Sequence, residues 1–479
     1  MGDPTMSDPI LVPIKWSSDR RSASRPGGSS DVRTPFEQDY DRLLFSTPVR
    51  RLADKTQVFP LERNDSVRTR LTHSLEVSNI SKSVGIRLVR KDPAIFGVAG
   101  LEDVVPVVLA TAGLAHDLGN PPFGHQGEVA IRRWFAEHRD IFVEAGNTYG
   151  DSPGDAFEAV PVHHQSDFLQ FDGNPQALRL VSQLQNTSGS SGLNLTATSI
   201  ASLMKYPISS DGISNQNAIT KKHGFFASER PLVEWVWAAT GLSEGRRHPL
   251  TWIMEAADDI AYSVLDIEDS IKKNLVAAED LLAYLRGRFS LTDLGGLANQ
   301  LEEDFKKADS NEFSLSRVRE IKATYLRTRL IERLITGATN QYLQYKVSIA
   351  LGDRKRPLLE CDSEESKLCA ALKKFANVHA YQSPSVLSLE MKGASVITTL
   401  MDAMWEAIVS RKQFTEPGSR RTTPRSAFVY SLISDSYRWC FERRTDMSMR
   451  YREMQLLTDM VSGMTDGYAI DLFEQLKPC

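Results

Sequence analysis

The sequence predicts an all-α protein, on three observations. Val104 to Leu114 is almost wholly apolar, which suits a helix buried on most sides with Pro106 in its first turn. Pro249 to about Lys273 is apolar nearly all round, from Trp252 and Ile253 through Ile260 to Ile267, so it too reads as a buried helix. No convincing apolar–polar alternation marks a strand, and about Val276 to Lys477 reads as successive helices joined by short polar loops.

Composition bounds the answer. A chain of 479 residues makes one large domain or two to three modest ones, and 41% hydrophobic with 25% charged residues leaves material for a sizeable core. A net charge of −4 gives no global basic character for nucleic acid, although Arg354-Lys-Arg356 and Arg420-Arg421 are local basic patches. Cys361, Cys369, Cys440 and Cys479 show no CxxC spacing and are expected as free thiols. There is no signal-peptide pattern and no apolar run of bilayer length, so the expectation is a cytoplasmic protein without a membrane partner.

Taken in order, residues 1–35 are polar, without periodicity, and are expected as a flexible arm. A helical stretch runs from Phe36 to about Thr47 and is interrupted by Pro48; Leu61 to Asp65 is a turn. Val67 opens a helix to about Arg90, in which Arg70 and His73 are three apart and share a face. The Val104 helix delivers His116 and Asp117 side by side, and Gly119-Asn-Pro-Pro122 stops it. Gln126 to His138 is the next helix, with His125 and Glu128, again three apart, at its start. Ala145 to Pro161 and Asn186 to Gly192 are loops. Leu195 to Tyr206 is a helix ending at Pro207, with Lys205 and Tyr206 in its last turn, and Ser209 to Gly224 is a loop. Later helices cover Arg317 to Tyr345, Glu364 to Ala376, Val396 to Arg411 and Ala427 to Glu442.

The chemistry concentrates at His116-Asp117. A carboxylate at the end of an apolar helix is costly to bury unless compensated, and a divalent metal compensates it most simply, with imidazole and carboxylate as ligands. The plain alternative is a His-Asp pair capping a helix C-terminus. His73 and Asp258, each on its own apolar helix, supply a third and a fourth ligand. Asp258, Tyr262 and Asp266 recur every four residues and form one stripe, with no Lys or Arg in that helix before Lys272 to pair with them. They read either as solvated acids or as a ligand followed by the lining of a substrate cleft. A two-His, two-Asp set suits Mn²⁺ or Mg²⁺ with positions left open for water and a phosphate oxygen.

The His…His-Asp…Asp pattern resembles the signature of HD-domain phosphohydrolases. Five stretches resemble, more narrowly, the bacterial deoxyguanosine triphosphate triphosphohydrolases. They are Arg50-Arg-Leu with Lys55-Thr-Gln-Val-Phe-Pro-Leu-Glu-Arg-Asn64, then Val67-Arg-Thr-Arg-Leu-Thr-His-Ser74, then His116-Asp-Leu-Gly-Asn-Pro-Pro-Phe-Gly-His125. Leu250-Thr-Trp-Ile-Met-Glu-Ala-Ala-Asp-Asp-Ile260 and Val461-Ser-Gly-Met-Thr-Asp466 complete the set, in an order running from about Pro48 to Tyr468.

The resemblance implies an all-α HD-domain fold, with an HD-type catalytic core over 36–290 and C-terminal helices over 291–479 packed on it. It implies hydrolysis of dGTP, or another dNTP, to the deoxynucleoside and inorganic triphosphate by water attack at the α-phosphorus. It makes His73, His116, Asp117 and Asp258 ligands of one divalent metal ion per subunit, His125 the catalytic histidine and Glu128 its orienting or proton-relay partner. It further makes Arg70, Lys205 and Tyr206 phosphate contacts, Gln57 and Asp266 contacts of the 3′-hydroxyl, and Tyr262 the residue packed where a 2′-hydroxyl would clash. A homo-oligomer, a hexamer by resemblance, is expected, with single-stranded DNA or an effector nucleotide as further partners. The alternatives are another HD-type nucleotidase or phosphodiesterase, and a non-catalytic HD-fold protein that binds single-stranded nucleic acid.

Overall fold

In the computed structural model, described for residues 14–22, 32–59, 61, 64–143, 159–185, 191–289, 293–310, 312–382 and 384–476, the chain is all-α. The described residues hold nineteen α-helices, and their only β pairings are isolated bridges such as Thr56 with Thr69. No helix among them is long and apolar enough to cross a membrane. Residues 1–13 and 23–31 of the expected arm, most of the loops at Ala145–Pro161 and Asn186–Gly192, the boundary near residue 290, and Cys479 lie outside the described residues.

The first helices are α1 (Pro35–Leu44) and α2 (Thr47–Arg51). Thr34 caps α1 through a reciprocal pair with Glu37, and Pro48 does not merely interrupt a helix: it sits in the first turn of α2, where its missing N–H costs nothing. The site is carried by α3 (Arg70–Lys91), α4 (Val104–Ala115) and α5 (Gly124–Glu137). Every residue of α4 from Val108 to Ala115 is buried, as its sequence demands. It lies tight against α3: a Cβ at Gly113 would stand 2.7 Å from Ser78 Cα, and Ser78 Oγ donates to the Ala110 carbonyl at 2.8 Å. That close approach brings His73 and His116 level with each other.

Short helices α6 (Val162–Leu169), α7 (Gly173–Arg179), α8 (Ala197–Leu203) and α9 (Arg230–Thr240) lead to α10 (Pro249–Lys272), buried as expected. Then come α11 (Ala278–Phe289), α12 (Asp293–Asp309), α13 (Leu315–Leu351), α14 (Glu364–Ala376) and α15 (Pro384–Val409). The chain closes with α16 (Pro424–Ser431), α17 (Asp435–Arg443), α18 (Met449–Gly463) and α19 (Asp466–Leu476). The structure corrects three expectations here. Ala427–Glu442 is not one helix but α16 and α17, because the backbone leaves the helical region at Ser434 (ψ 136°) before α17 starts. The helix expected from Val396 begins at Pro384. Lys205 and Tyr206 lie beyond the end of α8, since Met204 is already extended.

The fourth correction concerns the arm, which is not free of the body throughout residues 1–35. Trp16 packs edge-on against Phe96 and His248 at centroid distances of 5.7 and 5.2 Å, and the Lys15 N–H donates to the Thr240 carbonyl at 2.9 Å. Arg20 pairs with fully buried Asp39 at 2.5 Å. An indole and an ion pair are enough to hold a segment whose composition alone read as solvated.

Two hydrophobic cores flank the site. One joins α3, the first half of α4, α10, α13 and α14, through Val84, Leu109, Ile260 and Leu334. The other joins the end of α4 to α5, α15, α18 and α19, through Leu114, Phe123, Ile397 and Val461. Helix α4 belongs to both, and its C-terminal end, His116, stands where they meet.

Candidate active site

Four side chains from three helices and the loop after α4 converge. His73 comes from α3, His116 and Asp117 from the end of α4, and Asp258 from α10. The ligating atoms of His73, His116 and Asp117 all lie within 4.8 Å of one another. Asp258 Oδ1 is 3.4 Å from His73 Nε2 and 3.5 Å from His116 Nε2, and Asp117 Oδ1 is 3.5 Å from His116 Nε2. Four residues separated by up to 185 positions therefore form one cluster.

The cluster fits a cation. His116 Nδ1 donates to the Gly113 carbonyl at 2.7 Å, which fixes a proton on Nδ1 and turns Nε2 toward two carboxylates. His116 Nε2 and both nitrogens of His73 are buried without a hydrogen-bond partner. Two carboxylates set against imidazole nitrogens call for positive charge between them, a proton on the ring when no ion is bound or a metal ion in its place, and buried polar atoms are seldom left alone. Burial alone would lower the pKa of His116, but Asp117 and Asp258 outweigh it and raise it to about 9. Burial would raise Asp258, yet His116 and Lys205 hold it well below the usual carboxylate range. Against the same burial, Arg70 and then His116 hold Asp117 low. The set of two imidazoles and two carboxylates suits a divalent metal ion.

The surroundings are cationic. Arg70 is buried, pairs with Asp117 Oδ2 and donates from Nε to the Thr56 carbonyl at 3.1 Å. Lys205 Nζ lies 3.4 Å from Asp258 Oδ2 and 3.9 Å from Glu255. Its neighbour Tyr206 is buried, and Arg247 anchors both: it donates to the Lys205 carbonyl at 2.6 Å, lies over the Tyr206 ring at 5.7 Å and pairs with Glu255 of α10 at 2.7 Å. Gln57 follows Thr56, and its buried Oε1 has no hydrogen-bond partner.

The second histidine centre is different in kind. The His125 side chain is 71% exposed, and its Nδ1 is 3.2 Å from Glu128 Oε2. Glu128 is buried and fixed from behind, its Oε1 accepting from the Gly173 N–H at 2.7 Å. The ring is thereby oriented at Nδ1 and open at Nε2.

The stripe beyond Asp258 is not a strip of solvated acids. Asp266 is buried and accepts from the Tyr381 hydroxyl at 2.6 Å, and burial pushes its carboxyl well above the ordinary range. Tyr262, half-buried, packs against Tyr381 with ring centroids 5.9 Å apart. The partners that α10 lacks in its own sequence come from elsewhere: Lys205 for Asp258, Lys373 for Asp259 at 2.6 Å, and Tyr381 for Asp266.

With this geometry in place, comparisons with known proteins become decisive. The HD domain family matches residues 70–185, which carry His73, His116, Asp117, His125 and Glu128. A deoxyguanosinetriphosphate triphosphohydrolase-like protein of Listeria innocua is 34% identical over 478 residues, covering 96% of this chain and 97% of its own. The deoxyguanosinetriphosphate triphosphohydrolase of Klebsiella pneumoniae subsp. pneumoniae is 32% identical over 502 residues, covering 97% of each. The chain belongs to the deoxyguanosinetriphosphate triphosphohydrolase family. It is thus an HD-domain phosphohydrolase, and the relationship extends over the C-terminal helices as well as the HD core.

Within this family frame, sequence reasoning missed several residues at the site. Tyr381 ends a π-helical turn, Asn377–Tyr381, that follows α14, and no periodicity pointed to it. Lys373, which pairs with Asp259, was not singled out. Asn120, whose Nδ2 donates to Asp117 Oδ1 at 2.7 Å, was read only as part of a helix stop, although its position three residues after a candidate ligand was a usable signal.

Proposed function

We propose that this chain hydrolyses dGTP, or another dNTP, to the deoxynucleoside and inorganic triphosphate, using one Mn²⁺ or Mg²⁺ ion per subunit. The observation that carries this reading is the set of partnerless buried imidazole nitrogens facing Asp117 and Asp258, in a chain related over nearly its whole length to proteins named for that reaction. His73, His116, Asp117 and Asp258 would hold the ion. When bound, it supplies a Lewis acid that acidifies water and polarises a phosphoryl oxygen.

The remaining steps belong to the protein's own groups. Glu128 holds His125 Nδ1, so that the proton is taken up or delivered at Nε2, on the open side of the ring. Lys205 and Arg70 bring positive charge to the polyphosphate, each already held beside a carboxylate of the cluster. On α10, at about 1.5 Å rise per residue, the stripe from Asp258 to Asp266 spans roughly 12 Å, enough to run from an α-phosphate past a deoxyribose. Asp266 and Gln57 bind the 3′-hydroxyl, and Tyr262 occupies the space of a 2′-hydroxyl. The assembly is a homo-oligomer, with a hexamer as the expected size.

The test is direct. Purified protein is incubated with Mn²⁺ or Mg²⁺ and each of the four dNTPs and GTP, and the products are resolved by ion-exchange chromatography. Intact triphosphate from dGTP is the expected result. Orthophosphate or pyrophosphate, or no turnover of any dNTP, sinks the reading.

A further inference from the structure

The motif Val461-Ser-Gly-Met-Thr-Asp466 has no part in the chemistry above, yet its Asp466 accepts from the backbone of Phe123, two residues before His125. It forms the end of α18 and the start of α19. The segment Arg51–Thr56, more than four hundred residues earlier, is stitched to it almost residue by residue. Arg51 donates to the Gly463 carbonyl at 3.1 Å, and Asp54 accepts from the Gly467 N–H at 3.2 Å. Lys55 Nζ donates to the Ser462 carbonyl at 2.7 Å, and Thr56 donates to Asp466 from its N–H at 3.1 Å and also from its hydroxyl.

From this seam, two limbs run into the active site. Along the first, Lys55 Nζ also donates to the Asn120 carbonyl at 2.6 Å, while Asn120 Nδ2 donates to Asp117 Oδ1. Along the second, Asp466 Oδ1 accepts from the Phe123 N–H at 3.0 Å. Phe123 has φ +61° and Gly124 has φ +57°, so two consecutive residues stand in the left-handed region immediately before His125. A bulky residue adopts that conformation only when its surroundings impose it, at a cost of about 1–3 kcal/mol. Asp466 is buried and, held by two donors on Thr56, accepts from the Phe123 N–H; it is the charged hold on a turn that the Gly124 N–H to the Pro121 carbonyl at 3.2 Å and the Phe123 ring packed on Gly393 also secure. The circuit closes, because Thr56 also offers its carbonyl to Arg70, which pairs with Asp117.

We propose that Asp466 is a positioning residue of the active site: through Phe123 it sets the left-handed turn that places His125, with Lys55 doing the same for Asp117 through Asn120. The C-terminal helices thus form part of the catalytic frame. Misplacement of a reacting group by about 1 Å is enough to cost about 10²-fold in rate.

The proposal rests on the functional reading above for its kinetic test, and a second measurement stands apart from that reading. Asp466→Ala is compared with the parent, alone and in combination with His125→Ala. Where Asp466→Ala does not fold, Asp466→Asn, which keeps the shape and removes one acceptor, takes its place. The expected result is a fall in kcat of about 10–100-fold with KM changed by less than about threefold, and little further loss when His125 is already absent. An equal loss in both backgrounds, or an unchanged kcat, overturns the proposal.

Amide hydrogen exchange on the metal-free protein gives the second measurement. The substitution should speed exchange at Phe123 to Gln126 by about tenfold or more and leave α10 unchanged. Unaltered exchange at Phe123, or uniform acceleration throughout the chain, overturns it. Should the parent hydrolyse no dNTP, the functional reading fails, and the exchange experiment still decides the role of Asp466.

Discussion

The two histidine centres of this protein are neighbours in sequence and opposites in construction. The His116 side chain is 7% exposed and faces two carboxylates, whereas His125 is 71% exposed and has the Glu128 carboxylate behind its Nδ1. The first arrangement concentrates negative charge in a poorly solvated space, where a fixed cation is the natural complement. The second leaves a ring in contact with solvent and constrains only its tautomer, which suits a group that must exchange protons repeatedly. Burial thus separates holding a charge from passing one.

The largest effect that could break this comparison is removal of a cluster ligand. His116→Ala or Asp258→Asn should abolish metal retention, measured by elemental analysis after dialysis. Turnover should fall by about 10⁴-fold or more, because several kcal/mol of charge stabilisation go with the ion. A variant that keeps both metal and activity would remove that residue from the cluster. Next in size is His125→Ala, expected to lower kcat by about 10²–10⁴-fold while metal content stays normal. Glu128→Gln should reproduce part of that loss, roughly 10–100-fold, through the weakened hold on Nδ1. If His125→Ala also loses metal, the two centres are not separate.

The cluster also predicts a pH signature in the chelated protein. The pKa of His116 in the folded state, about 9, lies above the ordinary 6.5, so the stabilisation it contributes is complete below about pH 6.5 and is lost as the pH rises through about 9. The scale is on the order of 3 kcal/mol. Scanning calorimetry with chelator should show the melting temperature falling across that interval, and saturating Mn²⁺ should flatten the fall. A flat profile without metal would mean that His116 does not feel the carboxylates as the geometry requires.

The smallest effect concerns sugar choice. Tyr262→Ala should lower the dGTP:GTP ratio of kcat/KM by about tenfold, within the 1–3 kcal/mol that shape selection usually supplies. An unchanged ratio would place discrimination elsewhere, with Tyr381, packed beside Tyr262, the first residue to try next.

How much of this was legible in the sequence follows the same division. His116, Asp117 and Asp258 could be found because they end or lie within apolar helices where an ionisable side chain is out of place, and His73 because it then completes the set from a helix with one apolar side. His125 and Glu128 were visible through three-residue spacing alone. Tyr381 and Lys55 were not singled out, because their importance depends on what the fold brings near them: Asp266 in one case, Asn120 and Ser462 in the other. Lys55 lies in a stretch with no helical period, and its buried ammonium, lowered to about 7 by burial and by Arg70, leaves no trace in local composition. The break before α17 was missed for a simpler reason, since it is a matter of the backbone dihedral angles of one residue, Ser434.

Trp16 has a practical consequence. Its indole closes over His248, the residue that caps α10 and so anchors the helix carrying Asp258. The smallest fragment that keeps this enzyme whole therefore begins upstream of Trp16 and not at the first helix. A truncation made at Thr34 would remove a wedge from between α9 and α10 and open His248, now at 1% exposure, to water.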